Sequence, residues 1–445
     1  MACLMLDNCM YEQINSSLNK IRNLEKNLKI IPFNAFDLNF KNKSHEKLNY
    51  ENCQPFYPIS SSSWDVEEEE EIIKLVRAQK LTMGENVKKF ETLFSNYTGT
   101  KYSLMTNSGS SANLLIIAGL VLSKKFDINK GDEIIVPAIG WSTSFSPLSQ
   151  YGLKLRFVDV NLETLNIDEN EVINAITSKT KAILAINILG NPAELVKLRK
   201  ISKKYGLTLI EDNCECLGSK LQNKHSGTYG IASSHSFHFS HHIQTIEGGM
   251  VCTDDEDLYH FLLSLRSHGW TRDLPFKCSL HQKTGIGFND AFQFITPGYN
   301  FKPNEINAVV GLKQLEKYPF FLNQRKKNAF YFSYLFRDLD FCLPQKIIGS
   351  SSWFGFSLIL KNKLENKRSL VLYELCKAGI ETRPIVTGNF LKNPVIEYFD
   401  YSISKQLLNA EIIDLNGLFF GNDHRDLRSQ ILKVREVFDS LLKKI

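Results

Sequence analysis

Short apolar stretches alternate with longer amphipathic ones through the middle of the chain. Between residues 101 and 213, polar turn residues and an amphipathic segment follow each of the apolar runs KYSLMT, DEIIVPA, KLRFVDV, KAILAINIL and LTLIEDN. This rhythm is typical of βαβ units, so it predicts an α/β fold with a mainly parallel sheet. Because ligands gather beyond the carboxyl ends of strands in such sheets, we expect the chemistry in the residues just after each strand.

The two ends of the chain lack this alternation of short apolar and longer amphipathic segments. Residues 1–57 are rich in Asn and Lys, with a helical pattern over residues 12–29 and few candidate core positions, which predicts an N-terminal appendage. A large domain is predicted over residues 58–315. After Gln314 the sequence continues as a long helix and then a strand candidate, SSWFGFSLIL, which predicts a smaller α+β domain over residues 316–445.

The large domain is predicted to begin with a capped helix in the segment SSSWDVEEEEEIIKLVRAQKL. Asp65 and the serines before it can cap this helix, and Glu67 to Glu71 crowd its positive N-terminal end. We interpret the acidic run as a solvated helix start in preference to an interaction motif.

Composition and charge narrow the possible partners. The 445 residues are 43% hydrophobic, and a net charge of +5 comes from 53 basic and 48 acidic residues without a basic stripe, which argues against nucleic acid. Nine dispersed cysteines do not resemble a disulfide framework and favour a reducing, cytoplasmic setting. No stretch approaches the roughly 18 apolar residues of a membrane helix, and no secretion signal opens the chain. We therefore expect no membrane partner.

A small-residue turn follows the first predicted strand. It runs from Asn107 to Asn113 through Gly109 and Ser110 and leads into an apolar helix. Free backbone N–H groups and hydroxyls at a helix start can bind a phosphate. Taken alone, these residues are more often explained by ordinary helix capping.

An acidic pair ends the strand LTLIEDN. Asp212 follows Glu211 there, and Glu215 comes shortly after. A carboxylate at a strand end can keep a pyridinium nitrogen protonated. Paired acids can also bind a metal, but no His or Cys at ligand spacing accompanies these two, and we predict no metal site.

The segment HSFHFSHHIQTIEGGM contains Ser236 and the adjacent His241 and His242. Four histidines within eight residues suggest zinc, although the rest of a closed ligand set is missing. Trp141, after the strand DEIIVPAIG, is compatible with core packing or with contact to a flat ring.

Taken in order, the Ser-Gly-Ser turn, the post-strand Trp, Glu-Asp-Asn-Cys-Glu, Ser-His-His-Ile with Glu-Gly-Gly, and Pro-Gly-Tyr-Asn resemble the DegT/DnrJ/EryC1/StrS sugar aminotransferases. The resemblance covers residues 59–441. It implies the PLP-dependent aspartate aminotransferase fold (fold type I), with a large domain, a smaller α+β C-terminal domain, and a homodimer whose site lies at the subunit interface.

The resemblance also implies how pyridoxal or pyridoxamine phosphate (PLP or PMP) is held. Gly109, Ser110 and Ser236 would bind the phosphate, together with the partner subunit's Asn300.

For the ring of the cofactor, the resemblance implies three further residues. Trp141 would stack on the ring, Asp212 would bind its nitrogen, and Glu215 would belong to the same site.

His241 stands where this family usually has the lysine that tethers the cofactor. Within the family, histidine there resembles sugar 3-dehydratases, which use PMP to remove a hydroxyl and take glutamate to regenerate it. One branch holds an iron–sulfur cluster on cysteines after the histidine segment, where this chain has only Cys278. Since such a cluster takes four protein ligands, we expect none.

The segments HGWTR-LP, SSWFGFS and GIE-RPIVTGNFLKN resemble the other branch, which acts on GDP-4-keto-6-deoxy-D-mannose. We therefore expect C3 deoxygenation of that nucleotide sugar. Arg272 and Arg383 are candidates for binding a carboxylate or diphosphate, and either could instead form a surface ion pair. Three alternatives stay open: a dehydratase for a CDP sugar, a sugar-nucleotide aminotransferase, and an inactive regulator with this fold.

Overall fold

The structure is a computed structural model and describes residues 55–445. The helix predicted over residues 12–29, and all but the last few residues of the predicted appendage, lie outside the described residues. The helices are α1 (Val66–Ala78), α2 (Glu85–Thr98), α3 (Gly109–Leu122), α4 (Ser142–Gln150), α5 (Glu169–Ala175), α6 (Leu195–Tyr205), α7 (Glu256–Arg266), α8 (Gly287–Ala291), α9 (Glu305–Phe336), α10 (Arg368–Lys377), α11 (Leu408–Asn416) and α12 (Arg428–Leu442). The strands are β1 (Tyr102–Thr106), β2 (Glu133–Pro137), β3 (Lys154–Val158), β4 (Thr180–Ile186), β5 (Thr208–Asp212), β6 (Lys220–Leu221), β7 (Lys224–His225), β8 (Ala232–Ser236), β9 (Gly249–Thr253), β10 (Cys342–Pro344), β11 (Gly355–Leu360), β12 (Tyr401–Ile403) and β13 (Gly417–Gly421).

The main sheet has eight strands in the order β1-β9-β8-β5-β4-β2-β3-β12. From β8 to the β12 edge of the sheet, neighbouring strands are parallel. β9 is antiparallel to both of its neighbours, β1 and β8. The predicted mainly parallel sheet is confirmed, and the five apolar runs are β1 to β5. Parallel pairing brings the carboxyl ends of β2, β5 and β8 to one edge of the sheet.

A second sheet, β10-β11-β13, is antiparallel throughout. It packs on α9 and α12 through a phenylalanine-rich core: Phe332, Phe336, Phe356, Phe420 and Phe438. β12, which also comes from the C-terminal part of the chain, joins the main sheet beside β3. The domain boundary at 315/316 stays a prediction.

Helix α9 begins at Glu305, well before the start predicted after Gln314. The early turns lie against α2, where a Cβ on Gly311 would come within 2.8 Å of the Phe90 ring. Since these turns are buried and contain mostly apolar and small residues, the sequence shows no amphipathic period there.

Helix α1 has the predicted cap. The Asp65 side chain accepts from Glu67 N at 2.9 Å, and Asp65 N donates to Glu68 Oε2 at 3.0 Å. Glu68 differs from the predicted solvated run: it is fully buried and pairs with Lys317 at 2.8 Å. Within residues 55–445, no helix is both long and apolar enough to cross a membrane.

Candidate active site

The turn after β1 forms a tight cradle with the end of β8. Ser108 caps α3 by accepting from Ser111 N at 3.0 Å. A Cβ on Gly109 would lie 2.5 Å from the Cβ of Ser236, so only glycine permits this approach. The first N–H groups of α3 and the Ser236 hydroxyl therefore share one location, which suits an anionic group.

Trp141 lies beside this cradle, at the start of α4. Ser110 Oγ donates to Thr143 Oγ1 at 2.9 Å and so links the beginnings of α3 and α4. The Trp141 side chain is 57% exposed, which excludes core packing as its role. Its ring is free to contact a ligand at the edge of the sheet.

Asp212 is buried at the end of β5 and is oriented by neighbours on three sides. Its Oδ2 accepts from Asn113 Nδ2 at 2.9 Å and from Ser144 Oγ at 2.6 Å. Its Oδ1 accepts from Cys214 N at 3.1 Å and retains a lone pair for a further donor. α3 and α4 thus fix the carboxylate while one oxygen stays available.

Glu211, the adjacent acid, has a different environment. It is fully buried and accepts from the backbone N–H groups of Gly227, Tyr229 and Gly230 at 2.6 to 2.7 Å. Burial raises the pKa of Glu211, and these hydrogen bonds oppose the rise. Glu211 therefore supports the loop before β8 and does not pair with Asp212 around a metal.

Glu215 completes the acidic segment. Its Oε2 accepts from Leu189 N at 2.9 Å. Burial, reinforced by the negative charge of Asp212, raises the pKa of Glu215 to about 7. Near neutral pH this carboxyl can therefore either donate or accept a hydrogen bond.

His241 is held in a defined tautomer. Its Nδ1 donates to the backbone carbonyl of Cys214 at 2.9 Å, two residues beyond Asp212, which leaves Nε2 with a free lone pair. The Phe354 ring packs edge-on, 5.1 Å from the imidazole. Burial lowers the pKa of His241 to about 4, so the ring is neutral at physiological pH.

His242 is enclosed by protein. It is 2% exposed, and its ring lies between Tyr318 and Phe354. Burial lowers the pKa of His242 well below the usual value. His241, which is not fully enclosed, is therefore the member of the pair that can meet a ligand. Over residues 55–445, no three His, Cys, Asp or Glu side chains converge in a metal-binding group, so the zinc interpretation has no support here.

Arg272, Asn300 and Arg383 were predicted to belong to the site, but none of their contacts places their side chains at this edge of the sheet. The Arg272 guanidinium stacks on Trp270 at 4.3 Å. Asn300 is exposed, with its backbone bridged to Ser267. Arg383 is exposed, and its backbone pairs with Phe419. No salt bridge joins either arginine to an acid in the part of the chain that the structure describes.

Sequence reasoning did not single out Asn113 and Ser144, the two donors that fix Asp212. One signal was present: each lies within the first turns of a helix that follows a strand, the position from which side chains reach the ligand edge. Phe354 was also missed, because its aromatic-rich segment suggests only core.

Comparisons with known proteins agree with this geometry. A GDP-4-keto-6-deoxy-D-mannose 3-dehydratase from Yersinia pseudotuberculosis is 49% identical over 389 residues, covering 87% of this chain and 98% of that protein. The E. coli GDP-4-keto-6-deoxy-D-mannose-3-dehydratase with bound hydrated PLP superposes with a TM-score of 0.85 at 47% identity, covering 86% of this chain and 100% of that chain. A GDP-4-keto-6-deoxymannose-3-dehydratase with a trapped PLP–glutamate geminal diamine gives a TM-score of 0.83 at 47% identity, covering 86% and 99%.

The family model of the DegT/DnrJ/EryC1/StrS aminotransferases matches residues 62–418. The match includes the small-residue turn, Trp141, Asp212 and His241, and it confirms the resemblance and the fold type expected from the sequence. The chain belongs to the DegT/DnrJ/EryC1/StrS aminotransferase family.

Proposed function

We propose that the chain is a sugar 3-dehydratase that removes the C3 hydroxyl of GDP-4-keto-6-deoxy-D-mannose in deoxysugar biosynthesis. PLP and PMP are its cofactor forms, and glutamate is its amine donor. The relatives with 47 to 49% identity support this proposal, since they are named for this reaction and two of them contain PLP or its glutamate adduct.

The proposal rests mainly on the His241 imidazole, on its chemistry and on its hydrogen bonding. A lysine at this position would bond covalently to the cofactor and favour amine transfer. The imidazole forms no such bond, and its Nδ1 is already occupied by the Cys214 carbonyl. Nε2 is therefore left as a base beside the fixed carboxylate of Asp212.

The chain's residues fit the cofactor at its phosphate end. The α3 N-terminus at Gly109 and the hydroxyls of Ser110 and Ser236 form a compact anion site. Asn300, exposed in the single chain, would reach the phosphate of the partner subunit in a homodimer.

The ring end fits equally well. The exposed face of Trp141 is free to stack on a planar ring, and Asp212 Oδ1 can accept from its protonated nitrogen. Glu215, with its raised pKa, can share a proton with a ring hydroxyl. When bound, PMP supplies an amine that condenses with the sugar's C4 ketone and a ring that takes up electron density.

His241 then moves the essential proton. Its neutral Nε2 takes a proton from the methylene carbon of the cofactor. The resulting imidazolium is a strong acid because burial disfavours its charge, and it can protonate the departing C3 hydroxyl, which leaves as water. Over a full cycle the sugar loses one oxygen atom and gains two electrons, glutamate becomes 2-oxoglutarate, and its nitrogen leaves as ammonia.

The homodimer and a cytoplasmic location belong to the same proposal. An exposed aromatic surface supports the homodimer, because a second copy of the chain could cover it. We call it the 276–294 patch, and it comprises Phe276, Phe288, Phe292 and Phe294, each more than half exposed. Patches of this kind mark interaction surfaces. Covering this one would bring Arg272 and Asn300 towards the partner's site.

The proposal is tested by incubating the protein with PLP, glutamate and either GDP- or CDP-linked 4-keto-6-deoxyhexose. Ammonia and the 4-keto-3,6-dideoxy sugar are followed by mass spectrometry. We expect both products with the GDP sugar. An amino sugar in their place would favour the aminotransferase alternative, and turnover of the CDP sugar alone would identify a different substrate.

A further inference from the structure

Phe354, the residue directly before β11, packs against the proposed base from the C-terminal part of the chain. Its ring lies edge-on to the His241 imidazole at 5.1 Å and is tilted against the His242 imidazole at 5.5 Å. Edge-to-face contacts between rings at such distances are favourable and directional. The roles proposed above leave Phe354 unassigned, although it contacts the ring that moves the proton.

The backbone of Phe354 is fixed from two sides. Its N–H donates to the carbonyl of Leu189, in the turn after β4, at 3.2 Å. Its carbonyl accepts from Arg325 Nη1, on α9, at 3.2 Å. The N–H of Leu189 in turn donates to Glu215 Oε2 at 2.9 Å. Phe354 is therefore tied both to α9 and to the acidic segment of the candidate site.

Trp353, the preceding residue, has a costly backbone conformation. Its φ of 52° lies in the left-handed region, which is unfavourable for a bulky side chain. Its N–H donates to Ser351 Oγ at 2.9 Å, and its carbonyl accepts from Asn422 Nδ2 at 2.9 Å. Such conformations persist only where the surrounding contacts enforce them, and they are concentrated at functional sites.

Arg325, in the middle of α9, provides further contacts to the same segment. It is 4% exposed, and its Nη1 donates to the carbonyls of Trp353, Phe354 and Asn422. A buried guanidinium stays charged, so its donors need acceptors. Two of these acceptors are carbonyls of residues 353 and 354. The burial of Arg325 and the conformation of this segment therefore depend on each other.

We propose that Phe354 is a positioning residue for His241, and that Arg325 and Asn422 hold Phe354 in place. This assignment rests on the proposed function, in which His241 Nε2 takes a proton from the cofactor. The hydrogen bond from Nδ1 to the Cys214 carbonyl holds one edge of the imidazole, and a single bond leaves the ring able to tilt. The contact with Phe354 restricts this tilt and shields the ring from water.

Replacing Phe354 leaves the titratable and charged groups that face His241 unchanged: Asp212, His238, His242 and Arg325. Burial is the largest influence on the pKa of His241, which it lowers to about 4. The negative charge of Asp212 opposes this shift, whereas His238 and Arg325 add to it. A change in the pKa of His241 after Phe354 is replaced therefore reports the loss of burial.

The test observes the His241 ring directly. PLP-loaded protein with ¹⁵N-labelled histidine is titrated by NMR, and His241→Asn identifies the His241 signals. In the natural protein we expect the Nδ1–H tautomer and a pKa of about 4. In Phe354→Ala we expect a mixture of the two tautomers and a pKa that rises towards the ordinary value of about 6.5.

The same variant should also react more slowly. Single-turnover dehydration by PMP-loaded Phe354→Ala should fall by about 10- to 100-fold at saturating GDP sugar, with the half-saturating sugar concentration unchanged. Phe356→Leu is the matched control, because Phe356 lies two residues further along and stacks on Phe332 at 4.5 Å. It should lower the melting temperature while the tautomer and pKa of His241 stay as in the natural protein.

An unchanged tautomer and pKa in Phe354→Ala overturns the positioning role, and so does an equal change in Phe356→Leu. If circular dichroism shows that Phe354→Ala is unfolded, Phe354→Leu is measured in its place and should shift both quantities in the same direction. Asn422→Ala should produce a smaller shift of the same sign, and no shift would contradict its role in holding Phe354. A natural protein without dehydration contradicts the proposed function, while the NMR signals still report on Phe354.

Discussion

The two ends of the candidate site are built in different ways. Around Asp212, side chains from α3 and α4 satisfy one carboxylate oxygen, and the other accepts only the Cys214 N–H and keeps a lone pair. Around Arg272 and Asn300, the side chains are exposed, and the Arg272 guanidinium lies 4.3 Å from the Trp270 ring and 5.8 Å from Phe292 of the 276–294 patch. The ring-binding end around Asp212 is thus complete within one chain, whereas the end around Arg272 and Asn300 would be complete only in the proposed homodimer, where a second copy covers the patch.

The largest expected effect comes from removing the base at the complete end. His241→Asn should lower dehydration by about a thousandfold, within the usual range for a general acid–base residue, because asparagine cannot accept the proton that we assign to His241. Single-turnover rates with PMP-loaded protein measure this loss. His238→Asn is the matched control: it lies in the same segment with its ring centroid 6.0 Å away, and it should stay near the natural rate.

Replacing the base with the usual lysine should change the chemistry as well as the rate. His241→Lys should show the absorption band of a lysine-bound cofactor that borohydride fixes to the protein, with little dehydration. The same band in the natural protein would show that another lysine tethers the cofactor, and the mechanism proposed for His241 would be wrong.

Substitutions of the two adjacent acids, Asp212 and Glu211, should have different effects: one on cofactor binding and the other on protein stability. Asp212→Asn should weaken cofactor binding by about 10- to 150-fold, because it removes the charge that the ring nitrogen meets. Glu211→Gln should lower the melting temperature with little change in cofactor affinity, because it exchanges an acceptor of backbone N–H groups for a donor. Cofactor fluorescence titration and calorimetry measure the two effects. A larger affinity loss for Glu211→Gln would contradict this division.

A smaller effect is expected at the incomplete end. Arg272→Gln should raise KM for the nucleotide sugar by about tenfold and change kcat little, since an anion-binding side chain away from the reacting carbon acts mainly on binding. Arg428→Gln is the control, because that arginine is exposed and pairs with Asp426 at 2.6 Å. Equal behaviour of the two variants would remove Arg272 from the site.

The last prediction concerns pH and stability. Burial lowers the pKa of His225 and His241 to about 4 and that of His235 to about 3. Their unfolded pKa is about 6.5, so the unfolded chain binds more protons between pH 6.5 and about 4. Their contribution is complete above pH 6.5, and stability should fall as pH drops through that window. Urea midpoints at pH 7.5 and pH 5 measure this, and an unchanged midpoint would contradict it.

Much of the fold follows from the sequence because apolar runs of strand length are hard to misinterpret. β8 and β9 were not predicted because β8 reads Ala-Ser-Ser-His-Ser, and its polar side chains are buried by packing that no local pattern reveals. Glu68 was placed in solvent for a related reason, since its partner Lys317 is distant in sequence. Long-range pairing decides the environment of such residues.

In the candidate site, the residues directly after strands could be singled out from the sequence. The residues that orient them could not. Trp141, Asp212 and His241 follow apolar or family-specific runs, whereas Asn113 and Ser144 lie inside helices and contact Asp212 from other elements. No local sequence pattern shows that α3 and α4 converge on the end of β5.

The antiparallel strand β9 also constrains the order in which the fold can assemble. β1, which leads into the Gly109 turn, pairs in the main sheet with β9 and with no other described strand, and β9 follows it only after β2 to β8. A Cβ on Gly249, the first residue of β9, would lie 2.3 Å from the Ser108 carbonyl oxygen, so the two segments close on each other without a gap. During synthesis on the ribosome, the Gly109 turn therefore cannot complete its packing until β9 has emerged, and we expect a nascent chain that ends before β9 to lack the proposed phosphate site.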